Sequence, residues 1–141
     1  METLVNDFIN FKDKKPILYS FRRCPYAIRA RLALYIANFE VIIREIELKN
    51  KPKEFLEISP SKTVPCLHLE DHIIDESLDI MTWALSIHDP KKWMQLPEKA
   101  DQLIKFNDGP FKTSLDITKY SNRFPNEDIA KHKKICSAFM I

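Results

Sequence analysis

Residues 16–36 read PILYSFRRCPYAIRARLALYI, a short apolar run followed by a longer helix-favouring run. Pro16 opens the first run, and the run predicts a short buried strand. The second run predicts a helix that begins at Pro25, because a proline at the first helical position loses no hydrogen bond. Cys24 then lies at the N-cap, where the positive end of the helix dipole favours its thiolate.

Two arginines precede this cysteine. Arg22 and Arg23 add positive potential if their side chains point toward the sulfur, which the sequence does not fix. The alternative is that Cys24 is a buried thiol that packs as a small hydrophobic side chain. Its place at a helix start favours a reactive cysteine over that alternative.

Strands and helices alternate downstream, through residue 88. Asn38 is expected to end the first helix in a left-handed conformation, and residues 41–48 predict a second strand. A short helix is expected from Pro52 to Ile58. The remaining elements are a hairpin of residues 65–69 and 73–74 with its turn at 70–72, and a helix capped by Ser77 that ends near Pro90.

The pattern after Pro90 is helical throughout. We expect a helix from Pro97, an interruption at residues 108–110, and a last helix from Asn126. The predicted fold class is α/β. The order βαβαββα gives a small sheet covered by helices in residues 1–90, and residues 91–141 form an all-α second part.

Composition excludes several classes of protein. The chain has 141 residues, 45% hydrophobic and 30% charged, which is typical of a globular protein of about one domain. A net charge of +2 is too small to imply a nucleic acid partner. A single glycine, Gly109, excludes glycine-rich phosphate loops.

Targeting signals and metal motifs are also lacking in the sequence. No apolar run is long enough for a membrane span, and the start METLVNDFINF does not resemble a signal peptide, so we expect a cytoplasmic protein. Three widely spaced cysteines, at positions 24, 66 and 136, argue against a disulfide framework and a zinc site. His68 and His72 flank a turn without a third ligand, so no metal is expected.

The run around Cys24 resembles a known family. Cys24-Pro25-Tyr26-Ala27 resembles the Cys-Pro-Tyr-Cys motif of glutaredoxins with its second cysteine replaced. The wider run RCPYAIRARLALYIANFEVIIREIELKNKPKEFLEISPSKTVPCLHLEDHIIDES is similar to cysteine-type glutathione S-transferases, above all the omega class and its bacterial relatives. This resemblance implies a thioredoxin-like first domain and an incomplete helical second domain, as in a C-terminally truncated transferase.

The resemblance also implies a site. Cys24 would be the catalytic thiol, with glutathione as co-substrate and no tightly bound cofactor. The implied glutathione-binding residues are Phe21, Pro25, Tyr26, Lys51, Val64, Pro65, Glu76 and Ser77. Among them, Lys51 would contact the glycine carboxylate, Val64 before a cis proline would pair with the cysteinyl unit, and Glu76-Ser77 would hold the γ-glutamyl end.

Elementary chemistry is consistent with these roles. A cis bond before Pro65 turns the Val64 backbone outward, so that an extended peptide can pair with it. A hydroxyl and free N–H groups at the start of a helix suit a carboxylate, and Glu76 can accept from an ammonium group. Taken singly, Pro65 could instead be an ordinary strand-opening proline, and Glu76-Ser77 a plain helix start. The ordered combination is more specific than any part.

The remaining candidate residues are expected to have structural rather than catalytic roles. Tyr19 and Ser20 could activate a thiol, but their strand position favours a role in the sheet. Cys66 and Cys136 are expected to be core thiols. Ser61-Lys62 departs from the small or glycine-containing loop that the family commonly has before the cis proline, and Ala27 removes any internal dithiol route.

The resemblance therefore implies a glutathione-dependent thiol transferase that forms and resolves glutathione mixed disulfides, with dehydroascorbate reduction as a related activity. The alternatives are a conjugating glutathione transferase and a non-catalytic protein-binding module. The expected partners are glutathione and a small-molecule or protein mixed disulfide, with no nucleic acid and no membrane. An apolar stripe through Ile135 and Met140 predicts self-association, as a homodimer.

Overall fold

A computed structural model describes residues 14–141, so the expectation about the start METLVNDFINF concerns residues outside the described part. Contacts divide the chain into two units, one that ends at Gln95 and one that spans Leu96–Ile141. Within the described residues, no helix is both long enough and apolar enough to cross a bilayer.

In its described residues, the first unit contains a four-stranded sheet and three helices. Its elements are β1 (Ile17–Ser20), α1 (Pro25–Ile36), β2 (Ile42–Glu45), α2 (Lys53–Ile58), β3 (Cys66–His68), β4 (Ile73–Ile74) and α3 (Ser77–Ile87). The strand order is β2-β1-β3-β4, with β1 parallel to β2 and antiparallel to β3, and β3 antiparallel to β4. The predicted order βαβαββα and the α/β fold class are confirmed.

The second strand is shorter than the predicted residues 41–48. It pairs only with β1, from Ile17 opposite Ile42 to Ser20 opposite Glu45. Because β2 lies at the edge of the sheet, its hydrogen bonding is limited to the length that β1 offers, and all four of its residues are exposed. Strand propensity alone could not show where the partner strand ends.

The alternation of side chains along β1 divides the core into two clusters. Leu18 is fully buried against α1 and α3, while Tyr19 packs on the other face with Phe55 of α2, with ring centroids 5.3 Å apart. The first cluster consists of Leu18, Ala30, Ala33, Leu34, Ala37, Leu67, Leu69, Ile80, Ala84 and Leu85. The second consists of Tyr19, Ile46, Phe55 and Cys66. Helix α1 is thus anchored by small residues that let it lie close to the sheet.

Helix α1 ends as the sequence predicts. Asn38 follows its last turn with φ 58°, and the Phe39 N–H donates to the Leu34 carbonyl over 2.9 Å. A left-handed residue after the helix is tolerated best by glycine and then by asparagine. In a chain with a single glycine, Asn38 provides this stop.

The second unit is helical, as predicted. Its elements are α4 (Ala100–Phe106), a π-helical segment (Asn107–Phe111), α5 (Lys112–Lys119), a 3-10 turn (Ser121–Arg123) and α6 (Ile129–Met140). The interruption expected at residues 108–110 is wrong, because the chain passes through Pro110 in a π turn and stays helical. A π turn lets a proline sit inside a helix, since the hydrogen-bond ladder is already displaced there.

The starts of two helices also differ from the prediction. Helix α4 begins at Ala100 rather than Pro97, and α6 begins at Ile129 rather than near Asn126. The N-cap of α6 is Asp128, whose carboxylate accepts from the Lys131 N–H over 3.1 Å. Asn126 and Asp128 are both residue types that cap helices, and Asp128 is the one whose side chain makes the capping hydrogen bond.

Aromatic packing joins the helices of the second unit. The Phe139 ring on α6 lies 5.1 Å from Phe106 and 4.6 Å from Phe111. An open apolar groove lies beside it between α4 and α6, and Leu103 and Met140 are 54% and 71% exposed. The apolar surface that the sequence predicts is present, while the homodimer stays a prediction.

Candidate active site

Cys24 lies at the start of α1, as the sequence predicts. It is the N-cap residue with extended backbone (φ −73°, ψ 120°), and its N–H donates to the Phe21 carbonyl over 3.0 Å. Pro25 is the first helical residue. The thiol is partly exposed, and no side-chain cap bond uses its sulfur. The geometry therefore matches an accessible cysteine at the positive end of a helix rather than a core thiol.

The bond between Val64 and Pro65 is cis, which confirms the prediction from the sequence. The Val64 carbonyl lies 3.8 Å from the Cys24 sulfur, although the two residues are 40 positions apart. Pro65 is buried and leads directly into β3, while Val64 is partly exposed. A peptide backbone exposed beside a thiol is suited to pair with an extended ligand that carries sulfur.

Lys51 contacts the same loop. Its ammonium group donates to the Lys62 carbonyl over 2.7 Å, two residues before Val64. Lys62 itself has φ 56°, in the left-handed region that favours glycine. The departure from a glycine-containing loop is therefore accommodated by backbone strain at Lys62, with Lys51 bound to the strained carbonyl.

The start of α3 differs in detail from the prediction. Ser77 does not cap the helix: Glu76 is the N-cap residue, and Ser77 is the first helical residue and 4% exposed. The Ser77 hydroxyl oxygen accepts from Nε and Nη2 of Arg29, over 3.0 and 2.9 Å. Its side chain is bonded to α1 and not to its own helix, so it could not act as a cap. Glu76 is exposed.

Arg29 was missed by sequence reasoning. Its guanidinium lies 4.9 Å from the centre of the Tyr26 ring, and both residues are on α1. Tyr26 is half-buried. The i, i+3 spacing of Tyr26 and Arg29 on one helix was the available signal, but the contact with Ser77 spans 48 residues and has no local signature.

Other groups hold the Arg23 side chain and the Arg22 backbone beside Cys24. The Arg23 guanidinium lies over the Phe21 ring at 5.6 Å, and the backbone N–H of Arg22 donates to the Glu45 carboxylate over 2.7 Å. Arg31, which sequence reasoning missed, donates to the Ser20 hydroxyl over 2.7 Å and to the Arg22 carbonyl over 3.0 Å. Arg31 thus fixes the turn that carries Cys24.

Asp75 is a further missed residue. Its carboxylate accepts from the Ser59 hydroxyl over 2.8 Å and from the Ser61 N–H over 2.5 Å. Burial acts to raise the pKa of Asp75, but hydrogen bonds from Ser61 and Ser59 outweigh it and lower the pKa below its usual 3.8. Asp75 is therefore a carboxylate tied to the loop that precedes the cis proline.

Two other candidate groups are structural. The Tyr19 hydroxyl donates to Glu54 over 3.0 Å, and burial together with that bond raises the pKa of Tyr19 to about 12. Burial, followed by a hydrogen bond with Asp75, raises the pKa of Cys66 to about 12. A proton held this firmly makes neither group a base or nucleophile near neutral pH. The roles predicted for Tyr19 in the sheet and for Cys66 in the core agree with these positions.

His68, at the end of β3, and His72 flank the hairpin turn. Across residues 14–141, no three His, Cys, Asp or Glu side chains are grouped so that they could hold a metal ion. His72 places Nδ1 2.6 Å from the Asp71 carboxylate, at the exposed turn.

The predicted site residues fall into two groups in the structure. Cys24, Lys51 and Val64 converge on the loop before Pro65. Tyr26 and Ser77 are joined through Arg29, with Glu76 next to Ser77 at the start of α3. Their common role in binding one ligand stays a prediction.

Comparisons with known proteins place the described sheet in a family context. A family model described as glutathione S-transferase, N-terminal domain, matches residues 18–92. Among curated proteins, the chain is 35% identical over 105 residues to "Probable glutathione S-transferase DHAR2, chloroplastic" of Oryza sativa subsp. japonica, a match that covers 74% of the chain and 36% of the relative. It is 40% identical over 62 residues to "Glutathione S-transferase omega-1" of Rattus norvegicus, covering 43% of the chain and 26% of the relative.

A solved structure gives the same fold. "Glutathione S-transferase unclassified 2 from Bombyx mori" matches with a TM-score of 0.71 at 17% identity, over 90% of the chain and 64% of that protein. The match supports the thioredoxin-like sheet followed by part of a helical domain. The chain spans 36% and 26% of the two curated relatives described above, so their whole length is not represented in it.

Proposed function

Because the chain belongs to the glutathione S-transferase family, we propose that it is a glutathione-dependent thiol transferase in which Cys24 is the catalytic thiol. The observation that carries the proposal is a partly exposed cysteine at the N-cap of α1 whose sulfur lies 3.8 Å from the carbonyl of Val64, before a cis proline. This arrangement presents a nucleophile and an open peptide backbone side by side.

In this proposal glutathione lies along the loop before Pro65. Its cysteinyl unit pairs with the Val64 backbone, which brings its sulfur to Cys24. Its glycine carboxylate lies toward Lys51, whose ammonium group is already held beside the loop by the Lys62 carbonyl. An ammonium group retains donors for a carboxylate after one bond, because it has three.

The γ-glutamyl end is assigned to the start of α3. Two N–H groups of Arg29 donate to the Ser77 oxygen, so the Ser77 hydroxyl proton is available to donate to a carboxylate. Exposed Glu76 offers an acceptor for the α-ammonium group. Phe21, Pro25 and Tyr26 form the surroundings of the thiol in this assignment.

The proposed chemistry is thiol–disulfide exchange in two steps. The Cys24 thiolate attacks the glutathione sulfur of a mixed disulfide, a Cys24–glutathione disulfide forms, and the substrate leaves as a thiolate that takes up a proton from water. A second glutathione thiolate then attacks the glutathione sulfur, which yields oxidised glutathione and regenerates the Cys24 thiolate. One cysteine serves both steps because a stabilised thiolate is also a good leaving group. Ala27, where glutaredoxins have a second cysteine, leaves glutathione as the resolving thiol.

The proposal is tested by intact mass after incubation with oxidised glutathione. Wild-type protein and Cys136→Ser, the matched control for a buried thiol, are expected to gain one glutathione, and Cys24→Ser is expected to gain none. Steady-state transfer from a glutathione mixed disulfide of a small thiol should follow the same pattern. An adduct that persists in Cys24→Ser, or its absence in folded wild type, would overturn the proposal.

A further inference from the structure

We propose that Asp75 is a positioning residue that sets the affinity for glutathione by holding the two backbone segments of the site in register. The inference rests on the proposed function, because it concerns the same ligand. Asp75 directly precedes Glu76 and Ser77, which are assigned to the γ-glutamyl end. Its carboxylate binds the loop that leads to Val64, which is assigned to the cysteinyl unit.

Besides its bond with Cys66 in β3, the carboxylate makes two contacts with the loop. Oδ1 accepts from the Ser59 hydroxyl over 2.8 Å, and Oδ2 accepts from the Ser61 N–H over 2.5 Å. Ser59 is 3% exposed, so its hydroxyl bond is shielded from water. Two bonds from one planar group fix both the distance and the orientation of the loop relative to Asp75.

The loop passes this constraint on to Val64. The Ser61 hydroxyl accepts from the Thr63 N–H over 3.1 Å, and Lys51 holds the Lys62 carbonyl over 2.7 Å. Every residue from Ser61 to Thr63 therefore takes part in at least one hydrogen bond to Asp75, to Lys51 or within the loop. Val64 follows these three hydrogen-bonded residues and precedes buried Pro65, so its backbone has little freedom to move.

The groups that donate to Asp75 explain why a carboxylate suits this position. Ser59, Ser61 and Cys66 all donate to Asp75, and an ionised carboxylate only accepts. Asparagine has the same shape, but its NH2 group would face one of these donors. Asp75→Asn therefore breaks one bond and retains the volume of the side chain.

The experiment measures binding of S-methylglutathione by calorimetry, because this analogue cannot form a disulfide. Asp75→Asn is expected to weaken binding by about tenfold, which is the loss of one hydrogen bond to a charged group. Asp79→Asn, which removes the same charge from an exposed position in the first turn of α3, is expected to bind within twofold of wild type. Alkylation of Cys24 by iodoacetamide should proceed at the wild-type rate in both variants, whereas general loosening of the fold would change it.

Ser59→Ala provides a second, milder variant that keeps the carboxylate and its bond to Ser61. It is expected to weaken binding by a few fold, and the double variant with Asp75→Asn should be little worse than Asp75→Asn alone, because both act on one linkage. If Asp75→Asn does not fold, the affinity of Ser59→Ala for S-methylglutathione alone tests the proposal. Wild-type affinity in either folded variant would overturn the role of Asp75 and leave the proposed function intact. A wild-type protein that does not bind S-methylglutathione would overturn both.

Discussion

The buried thiol of Cys66 makes the stability of the first unit depend on alkaline pH. Cys66 is fully buried in β3, and burial together with the neighbouring Asp75 carboxylate raises its pKa from 9.0 to about 12. The folded protein therefore keeps this proton when the unfolded chain has lost it. The stabilisation is fully present below pH 9 and is lost as pH rises from 9 toward 12.

The size of the stability loss follows from how far the pH lies above the unfolded pKa of 9.0. One pH unit above the unfolded pKa costs about 1.4 kcal/mol for a single group that stays protonated in the folded state. At pH 10, one unit above the unfolded pKa of 9.0, the loss attributable to Cys66 is therefore about 1.4 kcal/mol. This loss does not depend on the exact pKa of the folded thiol, because a thiol with a pKa of about 12 is still protonated at pH 10.

The assay is urea unfolding with a non-thiol reductant, at pH 8 and pH 10, for wild type and Cys66→Ala. All other titrating groups are common to both proteins, so their effects cancel in the comparison. Wild type is expected to lose about 1.4 kcal/mol more than Cys66→Ala between the two pH values. Equal losses in the two proteins would refute the reasoning, since Cys66 would then ionise as easily when folded as when unfolded.

Two smaller predictions concern the backbone. Lys62→Gly is expected to stabilise the first unit by up to about 1 kcal/mol in urea unfolding, because glycine adopts φ 56° without a steric cost. Destabilisation would contradict this, and Lys53→Gly, at the first residue of α2, should give no such gain. Asp128→Ala is expected to lower the helical stability of α6 by about 1 kcal/mol, while Asp128→Ser retains most of it, as measured by circular dichroism during unfolding. Equal stability of the two Asp128 variants would show that its cap contributes little.

Prediction from sequence succeeded where interactions are local. Pro25 at the first helical position and Asn38 after the last turn define α1, and the chain within a few residues contains the reasons for both. It was wrong at residues 108–110, where proline and glycine usually end a helix, because a π turn keeps the helix continuous. It was also wrong about Ser77, whose hydroxyl is bonded to Arg29 across 48 positions.

The sequence by itself determined the order of elements and the place of Cys24 at a helix start, since both follow from periodicity, proline positions and capping chemistry. Only the tertiary structure decided which groups surround that cysteine. Val64 meets its sulfur across 40 positions, and Asp75 reaches Ser61 across 14. Such contacts depend on which strands become neighbours and on how the loops between them close, and residue spacing along the chain does not encode either.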